Sequence, residues 1–84
     1  MTHIEAAKWV LDNGCALIRP RTGEKHQFDV KPFTSRSKRG WFYMDAFTAS
    51  AMVAVFNALN AQNQAKFHIV PLPKVLDFVW KNVA

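Results

Sequence analysis

Residues 47–59, FTASAMVAVFNAL, are the longest stretch of the chain with a single clean period. Met52, Val55, Phe56 and Leu59 recur at i, i+3, i+4 and i+7, which is one stripe of an α-helix. Ala49, Ala51, Ala54 and Ala58 favour helix and leave neighbours room to pack closely. Thr48 is placed to cap the start by accepting a bond from a free backbone N–H. Asn60 is placed to stop the end, because Asn tolerates the left-handed turn often needed there. The spacing predicts a helix over 49–59 on which the rest of the chain packs.

Toward the C-terminus, residues 60–67, NAQNQAKF, open with a helix cap and read as a short helix pinned to the core by Leu59 and Phe67. Residues 67–70 are expected to run extended into Pro71, since the residue before a proline is pushed out of the helical region. Pro73 suits the first turn of a last helix over 73–82. Leu72, Val75, Leu76, Val79 and Val83 mark its buried stripe, Trp80 widens that stripe, and Lys81 complements the helix dipole.

Toward the N-terminus, residues 26–33 alternate, with His26, Phe28 and Val30 on one face and Gln27, Asp29 and Lys31 on the other, the pattern of a half-buried strand. Residues 15–19 form a short apolar run, and the polar segment 21–25 between the two runs suits a hairpin loop. Pro20 and Pro32 lack the N–H of a central strand, so the strands are expected to end there or to lie at an edge. A hairpin alone is marginal, and residues 41–44, WFYM, are the candidate third strand. At the start, Thr2 and Glu5 have capping-box spacing. Ile4, Ala7 and Leu11 share a face with Val10 beside them, Trp9 falls at the rim, and Asn13-Gly14 is a helix stop. The reading is one α+β domain over 1–84: an N-terminal helix, a two- or three-stranded antiparallel sheet, then two to three helices packed on one face.

Net charge is +5, and its distribution is uneven. Arg19, Arg21, Lys25, Lys31, Arg36, Lys38 and Arg39 face only Glu24 and Asp29 within residues 19–39, while elsewhere four bases balance four acids. A concentrated excess points to an anionic partner, although loops also carry charge simply for solubility. The loop 34–40, TSRSKRG, is flanked by Phe33, Trp41, Phe42 and Tyr43. Cations beside rings can neutralise phosphates and stack on bases, but a GWFYM run before an amphipathic helix reads first as core strand.

Catalytic and metal chemistry find no support in the spacing. His3, His26 and His68 have no metal-ligand pattern, and the single Cys15 reads as a small buried thiol that cannot form an intrachain disulfide. No glycine-rich phosphate loop is present, and Asp29 and Asp45 are no acid/base pair. We expect no enzyme and no cofactor. No apolar run approaches the ~20 residues of a bilayer span, and the N-terminus lacks a signal-peptide pattern; a soluble, cytoplasmic protein is expected.

The segments DAFTASAMVAVFNALN, NQAKF and PLPKVLDFVWK, within about residues 45–80, resemble the C-terminal half of small phage- and prophage-encoded accessory proteins. That resemblance implies an inhibitor of the anti-CRISPR or host-inhibitor type; no binding residue carries over from it. The expected function is a non-enzymatic protein docking on a host protein or protein–nucleic-acid complex with an acidic or phosphate-rich surface. Arg36, Lys38 and Arg39 would supply charge, Arg19, Arg21 and Lys25 would extend it, and Trp41 or Tyr43 would anchor. Direct binding of DNA or RNA by the same surface is the alternative. A homodimer through the apolar excess, with Phe47, Val53 and Trp9 at the interface, is a third.

Overall fold

The structure, a computed structural model, describes residues 1–34 and 38–82, except for the Lys25 side chain. Among these the order is α1 (His3–Asn13), β1 (Ala16–Arg21), β2 (Glu24–Pro32), β3 (Phe42–Met44), α2 (Ala46–Ala58), α3 (Ala61–Phe67) and α4 (Leu72–Asn82). The domain is α+β, with a three-stranded antiparallel sheet of order β2-β1-β3 followed by helices.

The first three helices each begin where a side chain satisfies a free amide. Thr2 and Glu5 close the expected capping box on α1, and these bonds hold the Glu5 carboxyl below its ordinary range. Gly14 ends α1 at φ 96°, a conformation that costs a residue with a Cβ, and its N–H donates to the Val10 carbonyl at 2.8 Å. Asn60 caps the start of α3, accepting from the Asn63 N–H, rather than acting as a left-handed stop for α2.

The start of α2 corrects the sequence reading. Asp45, not Thr48, is the cap: its carboxylate accepts from the Thr48 N–H at 2.7 Å, and the helix begins at Ala46. A carboxylate at a helix N-terminus gains both a hydrogen bond and the favourable end of the dipole, so the Asp45 carboxyl sits below its ordinary range. Asp45→Ala is expected to cost about 1 kcal/mol, seen as a lower urea midpoint with an unchanged slope.

Alternation along the strands sorts their side chains onto two faces. Ala16, Ile18, Phe28 and Met44 point to one face and form a single core with Ile4, Ala6, Ala7 and Val10 of α1, Ala49, Met52 and Phe56 of α2, Phe67, and Leu72, Val75 and Val79 of α4. α1 packs on α2 and β2, and α2 on α3 and α4. Val55, Leu59 and Leu76 of the predicted stripes are half-buried against this core, and Trp9 lies at its rim as expected.

Other expectations fail for local reasons. Leu11 is exposed, because Val10 already turns the buried face of α1 toward the core. Trp80 is exposed and stacks on the exposed Phe47, with centroids 5.6 Å apart. Residues 68–70 turn instead of running extended; the Ile69 and Val70 N–H groups donate to Lys66 and Phe67 carbonyls, and the proline constraint governs Val70 alone. Pro20 lies inside β1, the central strand, but past Ile18, the last β1 residue that pairs with β3. Val83 lies outside the described residues.

Candidate functional site: the second face of the sheet

The face of the sheet turned away from the main core carries Leu17, Arg19 and Arg21 from β1, Asp29 and Lys31 from β2, and Tyr43 from β3. Register places Leu17 between Lys31 and Tyr43 and sets Arg19 opposite Asp29. Leu17 is only 2% exposed yet stands apart from the main core. What is available to cover it is a layer of rings and cationic side chains.

That layer is ordered by cation–ring contacts. The Arg19 guanidinium lies 4.3 Å and the Lys31 ammonium 4.2 Å from the centre of the Trp41 ring. The Lys38 ammonium lies 3.9 Å from the centre of the Phe33 ring. Phe33 meets Tyr43 edge-on at 4.7 Å, and the Tyr43 hydroxyl donates to Cys15 Sγ at 3.3 Å, which holds the phenol above its ordinary range. A cation within about 6 Å of a ring centroid is held by the ring's negative face. The rings are therefore fixed in place without being buried: Tyr43 and Phe33 are 45% and 39% exposed.

Acids temper one end of this surface. Asp29 bridges Arg21 at 3.1 Å and Arg19 at 3.6 Å, and Glu24 pairs with Arg21 at 3.4 Å. The bond to Asp29, then the charge of Glu24, raises the Arg21 pKa above its ordinary value. Arg19, Arg21 and Glu24 are exposed and Asp29 is only half-buried, so the pairs position the side chains more than they stabilise the fold.

Among the residues chosen from sequence, Arg19, Lys38, Trp41 and Tyr43 come together in one layer. Arg21 is near but committed to two carboxylates. Arg39 is exposed in the turn before Trp41. Arg36 and the Lys25 side chain lie outside the described residues. The reading of 41–44 as core strand is corrected. Met44 alone is fully buried, while Phe42 and Tyr43 are exposed and Trp41 is half-buried. β3 is only three residues long at the sheet edge, and only the core-facing end of it reaches the helices.

Sequence reasoning missed Lys31 and Phe33 as site residues. The signal for Lys31 was present: it shares the polar side of the 26–33 alternation with Asp29. The signal for Phe33 was its place among the rings that flank the basic loop, although only Trp41 and Tyr43 were chosen as anchors. Among the described residues no three His, Cys, Asp or Glu side chains are placed to hold a metal ion, and no helix is long and apolar enough to cross a membrane. No family model, curated protein or solved structure matches the chain.

Proposed function

We propose that the chain is a small non-enzymatic binding protein of the cytoplasm, an inhibitor or adaptor that docks through the second sheet face. Its partner is a protein or protein–nucleic-acid complex presenting an acidic or phosphate-rich surface. A role of this kind is what the resemblance of residues 45–80 to phage accessory proteins implies. The observation that carries the reading is the aromatic–cation layer, which three strands and the loop before β3 assemble on an exposed face. Cations of one sign speed encounter with an anionic surface. Rings already held by Arg19, Lys31 and Lys38 lose little freedom on docking and serve as desolvated anchors.

Direct nucleic-acid binding is the second reading, favoured by the exposed rings of Phe33 and Tyr43 beside cations, the composition of a base-stacking platform. Trp41 is a poor platform, since its π system already engages two of the chain's own cations. Neither α2 nor α4 offers a recognition surface. α2 has no charge, and on α4 Lys81 pairs with Asp77 at 2.9 Å.

A variant with Arg19, Lys31 and Lys38 changed to Ala separates the two. Anisotropy on labelled duplex and single-stranded DNA would run across a salt series, beside recovery of a stoichiometric partner from host lysate. We expect DNA binding to vanish by physiological salt while a partner stays bound, with affinity for the variant lower by about tenfold or more, roughly 1.4 kcal/mol. DNA binding that survives physiological salt, with a slope shallower by about one for each cation removed, would put the second reading first. Binding to neither, or binding indifferent to the three substitutions, removes the sheet face as the site.

A further inference from the structure

The three histidines, remote in sequence, close on one cleft. It lies on the other side of the sheet from the aromatic–cation layer, between the hairpin end of the inner face and the turn that leads into α4. Phe28 and Phe42 of the sheet and Pro71 and Leu72 of the turn into α4 are among the apolar residues that, with His3, His26 and His68, line a cavity of about 300 Å³. That volume is at the lower end of the range of small-molecule sites, about 300–1,000 Å³.

His3 is 1% exposed. Among the described residues the buried side-chain polar atoms without a hydrogen-bond partner are both nitrogens of His3 and Nδ1 of His68. The Phe67 and Val70 carbonyls lie near enough to ease a charge on His3, but neither meets hydrogen-bond geometry. Native folds pair nearly all buried polar atoms, and those left unpaired mark strain, function or a missing partner. Here three of them gather beside one cavity, with the His3 and His68 rings near-parallel at 6.5 Å.

We propose that this cleft binds a small flat anion, an aromatic carboxylate, with its ring against Phe28, Phe42 and Pro71 and its carboxylate at His3 and His68. The apolar lining selects a flat apolar body. The polar end offers the imidazole nitrogens of His3 and His68. Among the described residues no carboxylate lines the cleft. Glu5, whose carboxylate interacts with His68, accepts from the Thr2 N–H at 2.9 Å. A bound carboxylate offsets the cost of charging a buried imidazole, so binding takes up a proton and tightens as pH falls toward the ordinary histidine value of about 6.5. The titratable groups around the site are His3, His26, His68, Glu5 and the Met1 amino group, which donates to the Phe28 carbonyl at 3.4 Å.

The test is a titration of the whole chain with benzoate, benzyl alcohol and acetate, read in long-range proton–nitrogen spectra of the imidazoles. Benzyl alcohol keeps the ring without the charge; acetate keeps the charge without the ring. We expect saturable benzoate shifts at His3 and His68 toward the protonated ring, with the other two probes at least tenfold weaker. His68→Gln should weaken benzoate about tenfold. The proposal is overturned if benzoate gives no saturable shift, if benzyl alcohol binds as well as benzoate, or if a folded His68→Gln protein binds undiminished. Should that variant fail to fold, the three-probe comparison on the natural chain decides alone.

Discussion

Ile18→Ala is expected to remove about 2–5 kcal/mol of stability. Ile18 is the last β1 residue paired on both sides, opposite Val30 of β2 and Phe42 of β3. It is fully buried in the one core that joins the sheet to α1, α2 and α4. Cutting it to Ala loses the transfer energy of the removed carbons and leaves a cavity that three strands and a helix layer cannot easily close. A chain of this length has a small core, and domain stabilities run from about 5 to 15 kcal/mol, so the loss brings the fold close to its midpoint in water. Urea unfolding should show a lower midpoint with an unchanged slope. Leu17→Ala is the control. Leu17 is nearly as buried, but its cover is a surface layer of rings and long cations that can settle into the space, so its cost should be smaller. A loss at Ile18 no larger than at Leu17 would mean that the two faces are not the inside and outside described here.

The sheet and helices were legible because each has a local signature. The period of 52–59, the capping box at Thr2 and Glu5, and the alternation of 26–33 each specify an element without help from the rest of the chain. Caps were less legible where two candidates stood close together. Asp45 and Thr48 both suit a helix start, and the choice of Asp45 follows from where β3 ends at Met44, a fact of tertiary pairing. The burial of single large side chains was least legible. Leu11 and Trp80 fit the apolar stripes by spacing, but an 84-residue chain has too little interior for every residue a stripe offers.

The sheet-face site was half legible. Composition located the charge in residues 19–39, and proximity in sequence linked it to Trp41 and Tyr43. What brings Lys31 onto Trp41, and Phe33 onto Tyr43, is the order β2-β1-β3, which sets the end of β2 and the start of β3 on either side of the same stretch of the central strand. No local pattern encodes a strand order. The histidine cleft was illegible for the same reason. His3, His26 and His68 lie on a helix start, a strand and a turn, and only the packing of the last turn against the sheet unites them.

Acid should weaken the fold between pH 7 and 5, and His3→Leu should remove most of that loss. Burial is the main force on His3. It disfavours the charged ring and lowers its pKa from the ordinary value of about 6.5, with His68 and His26 adding to the lowering and the Phe67 and Val70 carbonyls opposing it. The unfolded chain therefore takes up the proton first. Stability attributable to His3 is complete above about pH 6.5 and falls as pH drops toward the lowered value, by at most about 1.4 kcal/mol per pH unit for one proton. Glu5 and Asp45, both held below the ordinary carboxylate range, lose their contribution only at lower pH, and comparison with His3→Leu picks out the part due to His3. Leu fills a similar volume and removes both unpaired nitrogens, each an uncompensated desolvation of about 1–3 kcal/mol. His3→Leu should therefore raise stability at pH 7 by about 1 kcal/mol or more and flatten the pH profile, both read from urea midpoints at matched pH. A variant that is less stable at pH 7, or as acid-sensitive as the natural chain, would show that the His3 ring is paired in solution. A side chain that lowers stability where Leu would raise it is one that a binding site retains. The same variant should thus lose the benzoate response as it gains stability.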